Sequence, residues 1–534
     1  MEPNNLDDFL KLCNDAESLQ RQVLHDILSY SKETEIGRKL GFGEMEDIAT
    51  YRRRVPLSSW EDVAPYAKRL EKGENDLLFP GRPPYFICTS GTTGGVKIIP
   101  ESQRGQSIKS LTGRLRIEAI ARHVPKMMKG KLFPLVNHAV EGVTPGGIPY
   151  GSASGITLVT APETIRKMIA FPMAVLDIDY SNRIDYILMR FAVAEDVRAI
   201  FGNNAGRIAQ LLKVAQQEAE AIIEDIENGT LRGIETLSAK AREALESVMR
   251  PDPATAERLR RFLVKEGTFA PSHYWPNLRV IACWLSGSVG RYVSSLRPLV
   301  DADVRFFDVG YGATEGKFNI PLAPETPSGP LAIHAAFYEF RIPGTDTCLL
   351  AHEVEENESY ELVITTYSGL YRYTMGDLVR VTGFTGSTPH ILFEQKVGDM
   401  LNLCGEKVAA TSLMPMVARA VEETTGHPPR HWCVVSESDR HRYRFCIELS
   451  EAIEADGTLA ETIARRLEAI LQDESLIYPI FRQQKLLEPL AVTLMASGWQ
   501  EALYRRHTRP NQSRTQVKLP LVYNEIPQNE FSIP

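Results

Sequence analysis

The sequence predicts an α/β protein of two domains, a large one over residues 1–397 with β-sheets flanked by helices and a small α+β one over 398–534. Three observations carry this expectation. At 534 residues, 43% of them apolar, the chain can bury more than one core. Short apolar runs of strand type alternate with longer stretches whose apolar residues recur at helical spacing. Near residues 396–405 (KVGDMLNLCG) the texture changes: Gly398 and Gly405 bracket a short segment, and a compact alternation of helix and strand follows it.

Within the large domain, residues 6–31 read as one helix, and 85–89 (YFICT) as a short buried strand running into a Gly-rich turn. A long amphipathic helix is predicted over 205–226. Its apolar face carries Ile208, Leu211, Leu212, Ala215, Ala219, Ile222, Ile223 and Ile226, and Asn228-Gly229 ends it. Such a stripe is core packing. Strands are expected at 278–283 and 303–309, and then at 337–342, 359–366 and 377–382. In the small domain, helices near 413–423 and 459–471 alternate with strands near 431–435, 443–449 and 490–494. Residues 505–513 read as a polar loop before a last strand at 517–523.

Charge and cysteine usage exclude several classes. Sixty Lys and Arg against 68 Asp and Glu leave a formal charge of −8, with no dense basic run to displace counterions from nucleic acid or an anionic membrane. Seven cysteines are scattered at Cys13, Cys88, Cys283, Cys348, Cys404, Cys433 and Cys446. None forms a Cys-x-x-Cys pair, so neither a disulfide framework nor a zinc site is suggested. The first residues are polar and acidic, without the pattern of a signal segment, and no stretch reaches the length of a membrane span. A soluble, cytoplasmic protein is expected.

Five segments have the texture of chemistry. The first, Cys88-Thr89-Ser90-Gly91-Thr92-Thr93-Gly94-Gly95-Val96-Lys97, is rich in Gly and hydroxyls that can wrap phosphate oxygens. It is not a P-loop, because Val96 and Ile98 stand where that motif needs Gly and Ser or Thr. Alone, it would be read as a turn. The second, Tyr311-Gly312-Ala313-Thr314-Glu315-Gly316, offers a hydroxyl to a phosphate and a carboxylate to Mg²⁺; taken by itself it is a surface loop. In the third, Tyr371-Arg372-Tyr373-Thr374-Met375-Gly376-Asp377, the carboxylate can accept from ribose hydroxyls or simply cap a turn. The fourth is Cys404-Gly405-Glu406-Lys407-Val408, and the last is Gln516-Val517-Lys518-Leu519-Pro520, whose Lys taken alone is a solvated residue.

In this order and at these separations the five segments form the layout of adenylate-forming enzymes. Within that superfamily the chain most resembles the Gretchen Hagen family of acyl-acid amido synthetases. The likeness extends to residues 222–231 (IIEDIENGTL), Trp275-Pro276-Asn277, Ser286-Gly287-Ser288, Phe337-Tyr338-Glu339-Phe340, 360–377 (YELVITTYSGLYRYTMGD) and Gly405-Glu406-Lys407-Val408, and it covers nearly the whole chain. It departs from the family at Thr374-Met375 and at Gln395-Lys396, where the family often has Arg, and in reading Gln-Val-Lys rather than Gln-Tyr-Lys at 516–518.

The resemblance implies a large adenylate-forming domain with a β-barrel-like part and a mobile small domain. It also implies ATP and Mg²⁺, a small carboxylic acid and an amine (an amino acid) as partners, and no nucleic acid or membrane. Carried onto this chain, it assigns ATP or AMP contacts to Thr89, Ser90, Thr92, Thr93, Tyr311, Gly312, Thr314, Asp377 and Lys407, and Mg²⁺ to Glu315. Lys518 becomes the cation brought in by domain closure, so that Lys518, Glu315 and Thr314 are the catalytic set. The acid pocket is expected from the helix near 114–120 and the loops around 136–150, with Arg114 or Arg116 as carboxylate partner. His138 and His334 lack metal-ligand spacing and read as ordinary packed or surface residues. The alternatives are an acyl-CoA or aryl-CoA ligase of the same superfamily and a nucleotide-binding relative without catalysis.

Overall fold

The structure, a computed structural model, describes residues 2–88, 98–136, 138–178, 183–286, 293–396, 400–401, 403, 408–410, 413–437, 439–450, 458–475, 478–483, 486–507, 519–523 and 525–533. Its contacts divide the chain into two compact units. The first runs through Phe393, and the second begins at Glu394 and also takes in Gly376–Leu378.

Among the described residues the first unit holds three sheets. Strands Lys131–Leu135, Val197–Gly202, Val280–Cys283 and Arg305–Asp308 lie side by side in that order, all parallel. All four residues of Val280–Cys283 are buried, as expected of a parallel strand covered on both faces. The predicted helix over 205–226 covers this sheet as two helices, Ala205–Gln217 and Ala219–Asn228, broken at Glu218. Every residue of its apolar stripe is buried, and Gly229 (φ 67°) closes it in the left-handed conformation that glycine adopts without strain. The segment over 222–231 is a clasp. Buried Asp225 accepts from the Tyr186 hydroxyl at 2.5 Å, the Thr230 hydroxyl at 2.6 Å and the Arg232 amide at 2.7 Å.

A six-stranded sheet, in the order Cys348–Leu350, Phe337–Arg341, Ser359–Thr365, Tyr373–Thr385, Thr388–Lys396, Gly329–Pro330, is the β-rich part expected from the sequence. The third sheet contains Tyr85–Cys88 paired antiparallel with Ile98–Glu101, so the Gly-rich loop is flanked by two strands. That differs from a P-loop, in which a helix follows the loop. The helix expected over 6–31 is two helices, Leu6–Leu12 and Ala16–Ser31, because Asp15 caps the second one and accepts from the Ser18 amide at 3.0 Å.

The second unit is built on a four-stranded sheet in the order Ala491–Met495, Arg442–Glu448, His431–Glu437, Val522–Tyr523. Alternate residues face opposite sides. Trp432, Val434 and Phe445 join a core with helices Leu413–Thr425 and Leu459–Glu474, whereas Cys433, Val435 and Cys446 pack with Trp499 and Leu503. Helix Trp499–His507 occupies part of the stretch read as a polar loop. Its start is fixed by buried Glu448, which accepts from the Gly498 amide at 2.9 Å and the Gln500 amide at 2.6 Å. Of the strand expected over 517–523, Val522–Tyr523 is described.

Candidate active site

The parallel sheet aims its last strand, Arg305–Asp308, at a loop running from Val309 to Phe318. Ligands of open α/β sheets gather outside the carboxyl ends of strands, and here that edge carries Tyr311, Gly312, Thr314 and Glu315. Backbone bonds shape the loop. Phe318 donates its amide to the Tyr311 carbonyl at 2.9 Å, and Ala313 donates to the Gly316 carbonyl at 2.9 Å. Buried Asp308 accepts from the amides of Leu285 at 2.7 Å and Gly310 at 2.6 Å. Burial raises the Asp308 pKa to about 6, against the pull of those amides and of Arg116.

A 21-residue helix, Gln103–His123, supports the loop from below. Residues 109, 112, 113 and 116 fall on one face at helical spacing. Lys109 reaches the carbonyl of Thr314 at 2.8 Å and forms an ion pair with fully buried Glu101, whose carboxylate also accepts from Ser368 at 2.9 Å. The Thr314-Glu315 turn is thus tied to the helix by a cation. Arg116 donates to the carbonyls of Tyr311 at 2.7 Å and Asn319 at 2.9 Å. Gly310 (φ 86°) lets the guanidinium lie against its α-carbon; a Cβ there would come within 2.4 Å of Nε.

Between helix and loop lies a small cavity whose walls include Lys109, Thr112, Glu315, Lys317, Tyr338 and Tyr367. Its enclosed part, about 20 Å³, has room for roughly one water molecule. The Thr112 hydroxyl donates to the Ile108 carbonyl at 3.0 Å and lies 3.1 Å from Nε2 of His334. Burial holds the His334 pKa down at about 3, so its ring is neutral at any physiological pH. Lys317 is partly exposed at the loop's far end. Burial, then the neighbouring Arg116 and Lys109 charges, lower its pKa to about 7.

Models of three GH3-family domains match this chain in sequence: the N-terminal domain over residues 5–303, the central domain over 329–396 and the C-terminal domain over 412–526. The chain belongs to the GH3 family. Among curated proteins it is 24% identical to the probable indole-3-acetic acid-amido synthetase GH3.1 of Arabidopsis thaliana, covering 97% of this chain and 91% of that one. Among solved structures it superposes on the GH3.15 acyl acid amido synthetase with a TM-score of 0.82 at 20% identity, over 100% of this chain and 97% of the other. A 2-hydroxyisobutyryl-CoA ligase in its postadenylation state is less similar in fold, with a TM-score of 0.50 at 13% identity, over 96% of this chain and 90% of that one.

Within the family frame, Tyr311, Gly312, Thr314 and Glu315 share one loop beside the cavity. Asp377 belongs to the second unit, where its buried carboxylate is ion-paired with Lys396. Thr89, Ser90, Thr92, Thr93, Lys407 and Lys518 lie outside the described residues, as do Ser288 and most of the glycines around them.

The two arginines expected near the acid have these surroundings. Arg114 points away from the cavity: it is exposed and donates to the Asn4 carbonyl at 3.2 Å. Arg116 does face the loop, but its guanidinium is committed to two backbone carbonyls, and burial lowers its pKa only to about 10, so it remains charged. The cations lining the cavity are Lys109 and Lys317, which the sequence reading did not select. A signal existed for Lys317, a lysine placed between Gly316 and a buried Phe318 in the same loop as Thr314 and Glu315. No local pattern marks Lys109, because its partners Glu101 and Thr314 come from different parts of the chain.

Arg372, in the Tyr-Arg-Tyr segment, has a structural role. It holds a left-handed φ of 45°, binds Glu339 through Nε at 2.9 Å and Nη2 at 3.1 Å, and donates to the Val55 carbonyl at 2.9 Å. Arg52 shares the same carboxylate at 2.8 Å.

Proposed function

We propose that this chain is an ATP-dependent acyl-acid amido synthetase. In the first half-reaction a carboxylate oxygen of the acid attacks the α-phosphorus of ATP, and the bond to pyrophosphate breaks. In the second, the nitrogen of an amino acid attacks the acyl carbon, loses its proton, and AMP leaves with the electron pair of the broken anhydride bond. The observation that carries this reading is the match to all three family domains, in order, along one chain.

The first step brings two anions together and builds charge on phosphate oxygens, so it needs donors and cations fixed in advance. Thr314 offers its hydroxyl to the α-phosphate, with Tyr311 and Gly312 beside it. Thr89, Ser90, Thr92 and Thr93 supply hydroxyls and amides to the phosphates. Asp377 takes the ribose, Lys407 contributes to the nucleotide site, and Lys518 supplies a cation to the transition state. Lys109 is a positioning residue, since it acts on the nucleotide loop through the Thr314 carbonyl.

Glu315 fits Mg²⁺, an ion held through one or two carboxylates together with substrate phosphates. Among the described residues no group of three or more His, Cys, Asp or Glu gathers to hold an ion unaided. When bound, the ion neutralises charge on the phosphates.

A panel of acids, each with an amino-acid mixture or with coenzyme A, tests the assignment by chromatography of nucleotide and acyl products. Acid-dependent AMP and pyrophosphate, with amide product from amino acids, is expected. ADP and phosphate as main products would remove the reading, and thioester in place of amide would move the chain to the CoA-ligase class. Among the described residues no helix is long and apolar enough to cross a membrane.

A further inference from the structure

We infer that the acid activated at this site carries a second anionic group, a distal carboxylate, and that Lys317 is the residue that selects it. The inference rests on the amido synthetase reading for the identity of the site and goes beyond it in naming the substrate class.

The argument begins with which charges around the cavity already have partners. Lys109 is neutralised by Glu101. Arg116 is held by two carbonyls and feels the charge of Asp308. Lys317 has neither a hydrogen bond nor an ion pair among the described residues, yet its Nζ is packed so tightly that a Cβ on Gly113 would come within 2.6 Å of it. A glycine in the middle of a 21-residue helix weakens that helix relative to alanine. Here it makes room for an ammonium group. Desolvation and two neighbouring cations disfavour the charged form of Lys317. An anion delivered by a ligand reverses that penalty.

The reacting carboxylate is the wrong anion for this role. Its charge disappears as the acyl-adenylate forms, so a cation bound to it would stabilise the ground state more than the transition state. A second carboxylate keeps its charge through both half-reactions, and its contact with Lys317 holds the substrate without opposing the chemistry. The enclosed space beside Lys317 is of the size of a single carboxylate oxygen, and a ring does not fit it.

The test compares acids matched in length and shape, such as a straight-chain monocarboxylate with the corresponding α,ω-dicarboxylate and benzoate with terephthalate. Calorimetric binding and AMP release are both measured, on the wild type, Lys317→Met, Lys317→Arg and Gly113→Ala. The wild type is expected to bind at least one dicarboxylate about 10-fold or more tightly than its monocarboxylate partner, with the preference carried in KM. Lys317→Met should erase the preference while retaining monocarboxylate turnover, and Lys317→Arg should restore part of it. Gly113→Ala, which displaces the ammonium but keeps the charge, should reduce it.

Equal binding of every matched pair by the wild type, or an equal loss for both acids in Lys317→Met, overturns the inference while AMP release from monocarboxylates leaves the amido synthetase reading standing. A dicarboxylate preference in binding, abolished by Lys317→Met, with no AMP formed from any acid, would support the selectivity and overturn the functional reading.

Discussion

Two basic side chains, 55 residues apart in the chain, have opposite electrostatic surroundings within the first unit. Arg372 is buried with both faces of Glu339 engaged, and Arg52 joins the same carboxylate. Lys317 sits against a glycine beside a cavity, with no ion pair among the described residues. The first arrangement is complete without ligand and fixes the six-stranded sheet to the helix that ends at Val55. The second is incomplete. A cation whose desolvation is not repaid inside the protein is suited to a partner from outside, and a cation already satisfied belongs to the architecture.

The comparison can be broken most directly at Glu339. Replacing it with Ala leaves Arg372 and Arg52 without their shared counter-charge, and a loss of about 3–5 kcal/mol in unfolding free energy is expected by denaturant titration. A change below about 1 kcal/mol would show that the cluster is solvated and that the contrast with Lys317 is false.

Next in size is Glu315→Ala, a change in the loop proposed to meet the nucleotide. Adenylation should fall on the order of 10²-fold, as for removal of a transition-state stabiliser, with stability altered by less than about 0.5 kcal/mol. Wild-type AMP release from this variant would return Glu315 to the status of a solvated loop residue.

Lys109→Met sharpens the middle of the comparison, because Lys109 is both paired and adjacent to the cavity. It removes the tie to Thr314 and strands buried Glu101. A drop of about 10-fold in kcat with a smaller change in KM is expected if it positions the loop. Restoration of kcat by Lys109→Arg would separate positioning from mere packing.

The smallest effect on stability is expected at Lys317. Lys317→Met removes a desolvated charge without breaking an ion pair, so thermal unfolding should shift little, or upward, corresponding to less than about 1 kcal/mol. A clear loss of stability would mean that the ammonium has a structural partner after all.

The strands and helices were legible in sequence wherever local periodicity and end signals agree. Val280–Cys283, Phe337–Arg341, Ser359–Thr365 and Leu413–Thr425 lie within a few residues of their expected positions. The breaks at Asp15 and Glu218 were not, because apolar spacing continues across both and masks the Asp15 cap on the second helix. Helix Trp499–His507 was hidden for another reason: its N-terminal cap, Glu448, lies in a different strand.

The sequence by itself determined the ordered set of five segments and with them the family, since those signals are local runs of Gly, hydroxyl and carboxylate. It also placed Tyr311, Gly312, Thr314 and Glu315 together, because they are neighbours in the chain. Which basic residue faces the cavity was decided only by tertiary structure. Arg114, Arg116 and Lys109 are close in one helix, and rotation about its axis turns the first to solvent, the second to backbone carbonyls and the third to Glu101 and Thr314. Lys317 meets Gly113 from a loop some two hundred residues away, and the electrostatic state of its ammonium depends on charges that no local stretch of sequence brings together.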